Sequence, residues 1–187
     1  DNSTGTMKEY YNEISYGNFL VDGTADGWYQ STYTMAQAVD NVKQYVAEIA
    51  ELADPDFDYT QFDNDGPDNI PNSGDDDGYV DGVIIIFPGK SAAALDSYGD
   101  ENNIWPFAWS LFGDDEYLTN DIGYNGANIK VHDYTLCPEK YGNNIHTIGV
   151  YVHEFGHILG LPDLYDTYWD STDPLHDIHE GIGAWGV

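Results

Sequence analysis

His153-Glu154-Phe155-Gly156-His157 is the stretch of this chain whose residue types and spacing could do chemistry. Two His four apart on a helix lie on one face, a turn apart, so both imidazoles can reach one metal ion. The Glu between them falls near the same point and can take a proton from a water held by that metal. Gly160 follows three residues past the second His, and Asp163 three further on. Glycine tolerates the left-handed backbone that ends a helix, so the chain can turn there and return Asp163 as an oxygen ligand. Metal-assisted hydrolysis asks for three protein ligands, an open fourth position and a base. His153, His157 and Asp163 are therefore the expected zinc ligands, and Glu154 the expected general base.

Later in the chain His176, His179 and Glu180 could also reach a metal. Any of them could close the fourth position and make the zinc structural, and Glu180 could stand in for Asp163 as third ligand. Asp163 would then only cap the helix or support a ligand.

A second constellation is acidic. Asp63-Asn64-Asp65-Gly66 and Asp75-Asp76-Asp77-Gly78-Tyr79-Val80-Asp81 set carboxylates at close or alternating positions around glycine turns. A loop wraps a hard cation in this way, since calcium takes six to eight oxygens. The spacing departs from the twelve-residue EF-hand loop, and no Glu closes it. Asp63, Asp65, Asp77 and Asp81 are the expected calcium ligands, with Asp68 and Asp75 next. Without a cation these carboxylates repel one another strongly. The alternative is a merely solvated acidic loop.

Around these sites the composition sets bounds. With 187 residues, 41% of them hydrophobic and 15% aromatic, a single folded domain over 1–187 is expected rather than disorder. Five lysines and no arginine stand against 34 acidic residues, a net charge of -29. Such a surface repels nucleic acid and anionic membranes, and it suits a calcium-rich or saline extracellular setting. The single cysteine, Cys137, allows no intrachain disulfide and reads as a buried thiol. No run of 18 apolar residues can span a membrane, and no signal peptide is visible. The polar opening Asp1-Asn2-Ser3-Thr4 reads as a processed or trimmed start.

The elements that must position the sites follow from pattern. Thr6-Met7-Lys8-Glu9 and Thr34-Met35-Ala36-Gln37 have capping-box spacing. The first opens a short helix through Ile14, the second a helix to about Leu52. Met35, Val39, Val42, Val46 and Ile49 form the buried stripe of that second helix. Phe19 to Val21 and Gly27 to Tyr29 read as short strands about an Asp22-Gly23 turn. The apolar run Val83 to Phe87 reads as a central strand buried on both faces. Trp105 to Phe112 is aromatic-rich and at least partly core. Asn128 to Leu136 reads as an outer strand ended by Pro138-Glu139, and the metal helix runs from His146 or Thr147 to Leu159. No internal repeat or linker divides the chain.

His153 to Asp166, HEFGHILGLPDLYD, resembles the zinc signature of the immune inhibitor A (M6) metallopeptidases, secreted bacterial proteases related to the metzincins. Tyr10-Tyr11, Ser15-Tyr16-Gly17, Gly27-Trp28-Tyr29, Asp81-Gly82-Val83, Pro138-Glu139 and Gly183-x-Trp185 fall in that family's order. The resemblance implies an α/β (α+β) zincin-like catalytic domain, with a twisted mixed sheet, an active-site helix and a backing helix. It implies one zinc on His153, His157 and Asp163, with Glu154 as base and calcium as a stabilising ion. Asp163 stands where the long metzincin-type pattern usually holds His. The family's first strand would lie before Asp1 and its Met turn past Val187, so the domain is expected to be cut at both ends and part of a longer precursor. The expected function is a secreted zinc endopeptidase acting on proteins or peptides. The rival is a non-catalytic, calcium-stabilised structural or binding fragment of a larger secreted protein.

Overall fold

The Thr6 hydroxyl accepts the Glu9 N–H at 3.1 Å while the Glu9 carboxylate accepts the Thr6 N–H at 2.9 Å. This reciprocal cap satisfies two otherwise orphaned donors and starts helix α1, Met7–Ile14. The computed structural model describes residues 5–94 and 99–164.

Thr34 and Gln37 repeat the cap at α2, Met35–Asp40. The single helix expected from there to Leu52 is interrupted. Asn41 leaves helical geometry (φ -136, ψ 45), and α3 resumes over Val42–Ala53. The cause is local: the Asn41 side chain donates to the Gln37 carbonyl at 2.8 Å, a bond that competes with the backbone ladder. The apolar stripe survives the break. Met35, Val39, Val42 and Ile49 pack on the main core, and Val46 is fully buried within it.

Among the described residues the main sheet runs in the order β1-β5-β2. β1 (Val83–Lys90) lies parallel to β5 (Asp133–Tyr141), and β2 (Phe107–Ser110) lies antiparallel to it. The two-residue β6 (Asn144–Ile145) folds back on the end of β5. A separate hairpin joins β3 (Tyr117–Ile122) to β4 (Asn128–Val131). Helix α4 is Ile148–Ile158. The mixed α/β class is as expected.

The placing of strands is not. Asn128 to Leu136 is two strands broken at His132, and its second half opens the central strand rather than an outer one. Tyr134 and Leu136 join the core that Ala38, Tyr45 and Val46 close from α2 and α3. The alternate residues Thr135 and Cys137 face the side covered by α4, and all four are fully buried. Val83 to Phe87 is a strand, but it flanks β5, and Ile86 is 45% exposed. Pro138 does not end β5: the register continues with Phe87 opposite Pro138. A proline there costs one ladder donor, while its carbonyl accepts the Tyr151 hydroxyl at 2.8 Å. Phe19 to Val21 and Gly27 to Tyr29 form no strands, and among the described residues no segment pairs with them. That stretch is held by side chains instead, with Lys8 on Asp22 at 2.8 Å and Glu48 taking the Thr32 N–H at 3.1 Å.

Candidate metal centre

Helix α4 begins after Thr147, whose backbone is extended, and buries Val152, Glu154 and Gly156. The four-residue spacing leaves His153 and His157 side by side, their rings 4.8 Å apart. The helix stops where the sequence predicts. Gly160 takes φ +82, the left-handed conformation that glycine adopts without steric cost. The Leu161 N–H bonds back to the Gly156 carbonyl at 3.0 Å and the Gly160 N–H to His157 at 2.9 Å, closing the last turn. This turn carries Asp163 back over the helix.

Asp163 Oδ1 lies 3.2 Å from His153 Nε2 and 3.3 Å from His157 Nε2. Ligands ~2.0–2.1 Å from a tetrahedral zinc stand ~3.3–3.4 Å apart, so Asp163 Oδ1 lies at a ligand–ligand separation from each imidazole. Their chemistry also asks for a cation. His157 Nδ1 faces the Leu161 carbonyl at 2.8 Å, an acceptor that calls for the proton on Nδ1 and leaves Nε2 the atom turned toward Asp163. Asp163 Oδ1 is buried with no hydrogen-bond partner. Acceptors facing one another in a buried site are stable only around a shared cation or proton.

Glu154 is 5% exposed, and its ligand atom falls within 4.8 Å of those of His153 and His157. Burial raises its carboxyl above the usual range, against the pull of the two imidazoles, and Asp163 raises it further. The Ala108 backbone N–H of β2 lies beside it and lowers it, bringing the sheet edge against this side chain. Nothing in the Trp105 to Phe112 pattern singles Ala108 out, because the contact is made by its backbone. Cys137 is buried nearby, with its thiol pushed up to about 12 by burial.

The acidic loop gathers part of what the sequence predicts. Asp63, Asp65 and Asp77 bring carboxylate oxygens within 4.8 Å of one another. Asp65, Asp77 and Asp81 line a cleft of about 220 Å³ with Tyr79, Val80, His132 and Asp133. Burial and then Asp77 raise Asp65 to about 6, and burial also raises Asp63 and Asp81. Asp68 and Asp75 are turned to local bonds, with the Ile70 N–H and the Ser73 hydroxyl. Asp76, not singled out by the sequence, takes the Gly66 and Ser73 N–H groups and shapes the loop. His176, His179 and Glu180 lie outside the described residues, as does the Gly183-x-Trp185 motif.

Residues 1–185 match the family model described as immune inhibitor A peptidase M6, catalytic domain. The chain belongs to the peptidase M6 family. It is 31% identical over 207 aligned residues to immune inhibitor A of Bacillus thuringiensis subsp. alesti, covering 97% of this chain and 28% of the relative. It is 26% identical over 200 residues to the pre-pro-metalloprotease PrtV of Vibrio cholerae serotype O1, covering 97% of this chain and 20% of the relative. The chain thus spans between a fifth and three tenths of the length of these curated relatives. The match is to that family's catalytic domain, and the second relative is named a metalloprotease. Among the described residues no helix is long and apolar enough to cross a membrane.

Proposed function

We propose that this chain is the catalytic core, a single domain over 1–187, of a secreted zinc endopeptidase whose zinc is held by His153, His157 and Asp163. The observation that carries this reading is the unpartnered Asp163 Oδ1, 3.2 and 3.3 Å from the two imidazole Nε2 atoms. Zinc, when bound, polarises the scissile carbonyl and acidifies the attacking water. Glu154 takes the proton of that water and delivers it to the leaving amine. Its burial suits the delivery, since a carboxyl held above the usual range gives its proton up to an amine yet is readily recharged. The substrate would lie extended along β2, pairing backbone to backbone. β2 is a free-edged antiparallel strand among the described residues, and its Ala108 touches the base.

A calcium ion at Asp63, Asp65, Asp77 and Asp81 belongs to the same reading. It is supported by the carboxylates of Asp63, Asp65 and Asp77 crowded within 4.8 Å, by Asp81 lining the same cleft, and by Asn64 Oδ1, buried in the same loop without a hydrogen-bond partner. The charge of -29 supports an extracellular, salt-tolerant protein that avoids nucleic acid and anionic membranes. The test is casein hydrolysis by the parent and by Glu154→Gln at equal zinc content. The expected loss is about 100- to 10,000-fold in kcat, the usual worth of a general base. An unchanged rate would rule out the mechanism and favour the non-catalytic fragment.

A further inference from the structure

Tyr11 of α1 is 3% exposed, and its hydroxyl donates to the Val152 carbonyl of α4 at 2.6 Å, across 141 positions of sequence. Its ring meets Phe155 edge-on, with centroids 5.7 Å apart. A Cβ on Gly156 would lie 3.7 Å from the same hydroxyl, so Tyr11 approaches α4 where the helix lacks a side chain. Val152 and Gly156 are the residues immediately before His153 and His157. A carbonyl inside a helix already accepts the N–H four residues on, so the Tyr11 bond rescues no orphan acceptor. Its effect is to fix where α4 sits. Imidazoles stand ~5–6 Å from the helix axis, so a 10° rotation moves them by ~1 Å. That is beyond the ~0.5 Å within which a working site must be held. Burial pushes the Tyr11 hydroxyl up to about 12, so it remains a donor at any working pH.

We propose that Tyr11 is a positioning residue that sets the rotation of α4, so that His153 and His157 meet Asp163 at one zinc ion. The inference rests on the zinc reading above. Tyr11→Phe removes the hydroxyl and keeps the ring. Its zinc affinity, measured by competition with a chromophoric chelator, is expected to weaken about 10-fold, the lower end of the effect of residues that support metal ligands. At saturating zinc, kcat is expected to fall with KM unchanged. Tyr10→Phe, whose ring packs on Tyr11, is expected to match the parent. Phe155→Leu loses the ring contact but keeps the hydroxyl bond, and is expected to retain parental zinc affinity even should Tyr11→Phe fail to fold. Equal zinc affinity in the parent and Tyr11→Phe would overturn the positioning role alone. So would a 10-fold loss in Phe155→Leu. A parent that takes up no zinc would overturn this inference together with the zinc reading.

Discussion

Gly82 lies so close under Phe155 that a Cβ at position 82 would stand 3.3 Å from the ring and 3.2 Å from Ile158 Cδ1. The backbone leaving the acidic loop at Asp81 therefore runs directly against the metal helix. Its φ is not in the left-handed region, so the glycine is needed for space rather than for conformation. Gly82→Ala is expected to cost about 1–2 kcal/mol of overpacking, offset in part by reduced freedom of the unfolded chain. Thermal unfolding should shift down by about 2–5 °C. A variant at least as stable as the parent would show that α4 yields freely at this contact.

Asp163 and Glu180 are the two candidates the sequence offers for the third ligand position, and paired alanine variants separate them. Asp163→Ala is expected to weaken zinc binding by more than about 100-fold, beyond what loss of a supporting partner costs. Glu180→Ala should bind like the parent. Equilibrium dialysis against a zinc buffer measures both, and the opposite ranking would move the ligand to Glu180.

Burial and then mutual repulsion in the acidic loop make a pH prediction whose sign follows from proton uptake. Asp63, Asp65 and Asp81 have carboxyl groups raised above their unfolded value, Asp65 to about 6. The folded, metal-free protein therefore binds more protons than the unfolded chain between about pH 4 and 6. This contribution is fully present below about pH 4 and is lost as pH rises through about 6. The loop should resist proteolysis better at pH 5 than at pH 7.5 without calcium. Calcium at pH 7.5 should restore protection, because it replaces the protons. Limited proteolysis with and without chelator reads this directly, and no effect of calcium at pH 7.5 would remove the ion from the loop.

The parts legible in the sequence are those where the signal and the structure share one cause. Two capping boxes, at Thr6 and Thr34, are built from side chains four positions wide, and both form. The metal helix ends at Gly160 because φ is positive there, which its glycine announces. The strands are harder to read because their identity depends on partners. β5 contains Thr135, Pro138 and Glu139, so its composition suggests an edge, yet helices cover both faces. The purely apolar Val83 to Phe87 looks central and instead flanks it. β3, with Thr119, Asn120 and Asp121, carries no strand pattern. It is held in place by Asp54, which takes the Tyr117 hydroxyl at 2.6 Å and the Asn120 N–H at 3.0 Å. The acidic ligand set is partly legible: alternation gathers Asp63, Asp65 and Asp77, while short-range turn bonds divert Asp68 and Asp75.

The bond from Tyr11 to Val152 also sets a timetable for the nascent chain. The two positions lie 141 residues apart. At synthesis rates of ~5–20 residues per second, α1 waits ~7–30 s before α4 is made. β1 waits in the same way, because its parallel partner β5 follows only after β2, β3 and β4. The two imidazoles and the carboxylates of Glu154 and Asp163 thus come together only once the rest of the described fold exists to receive them.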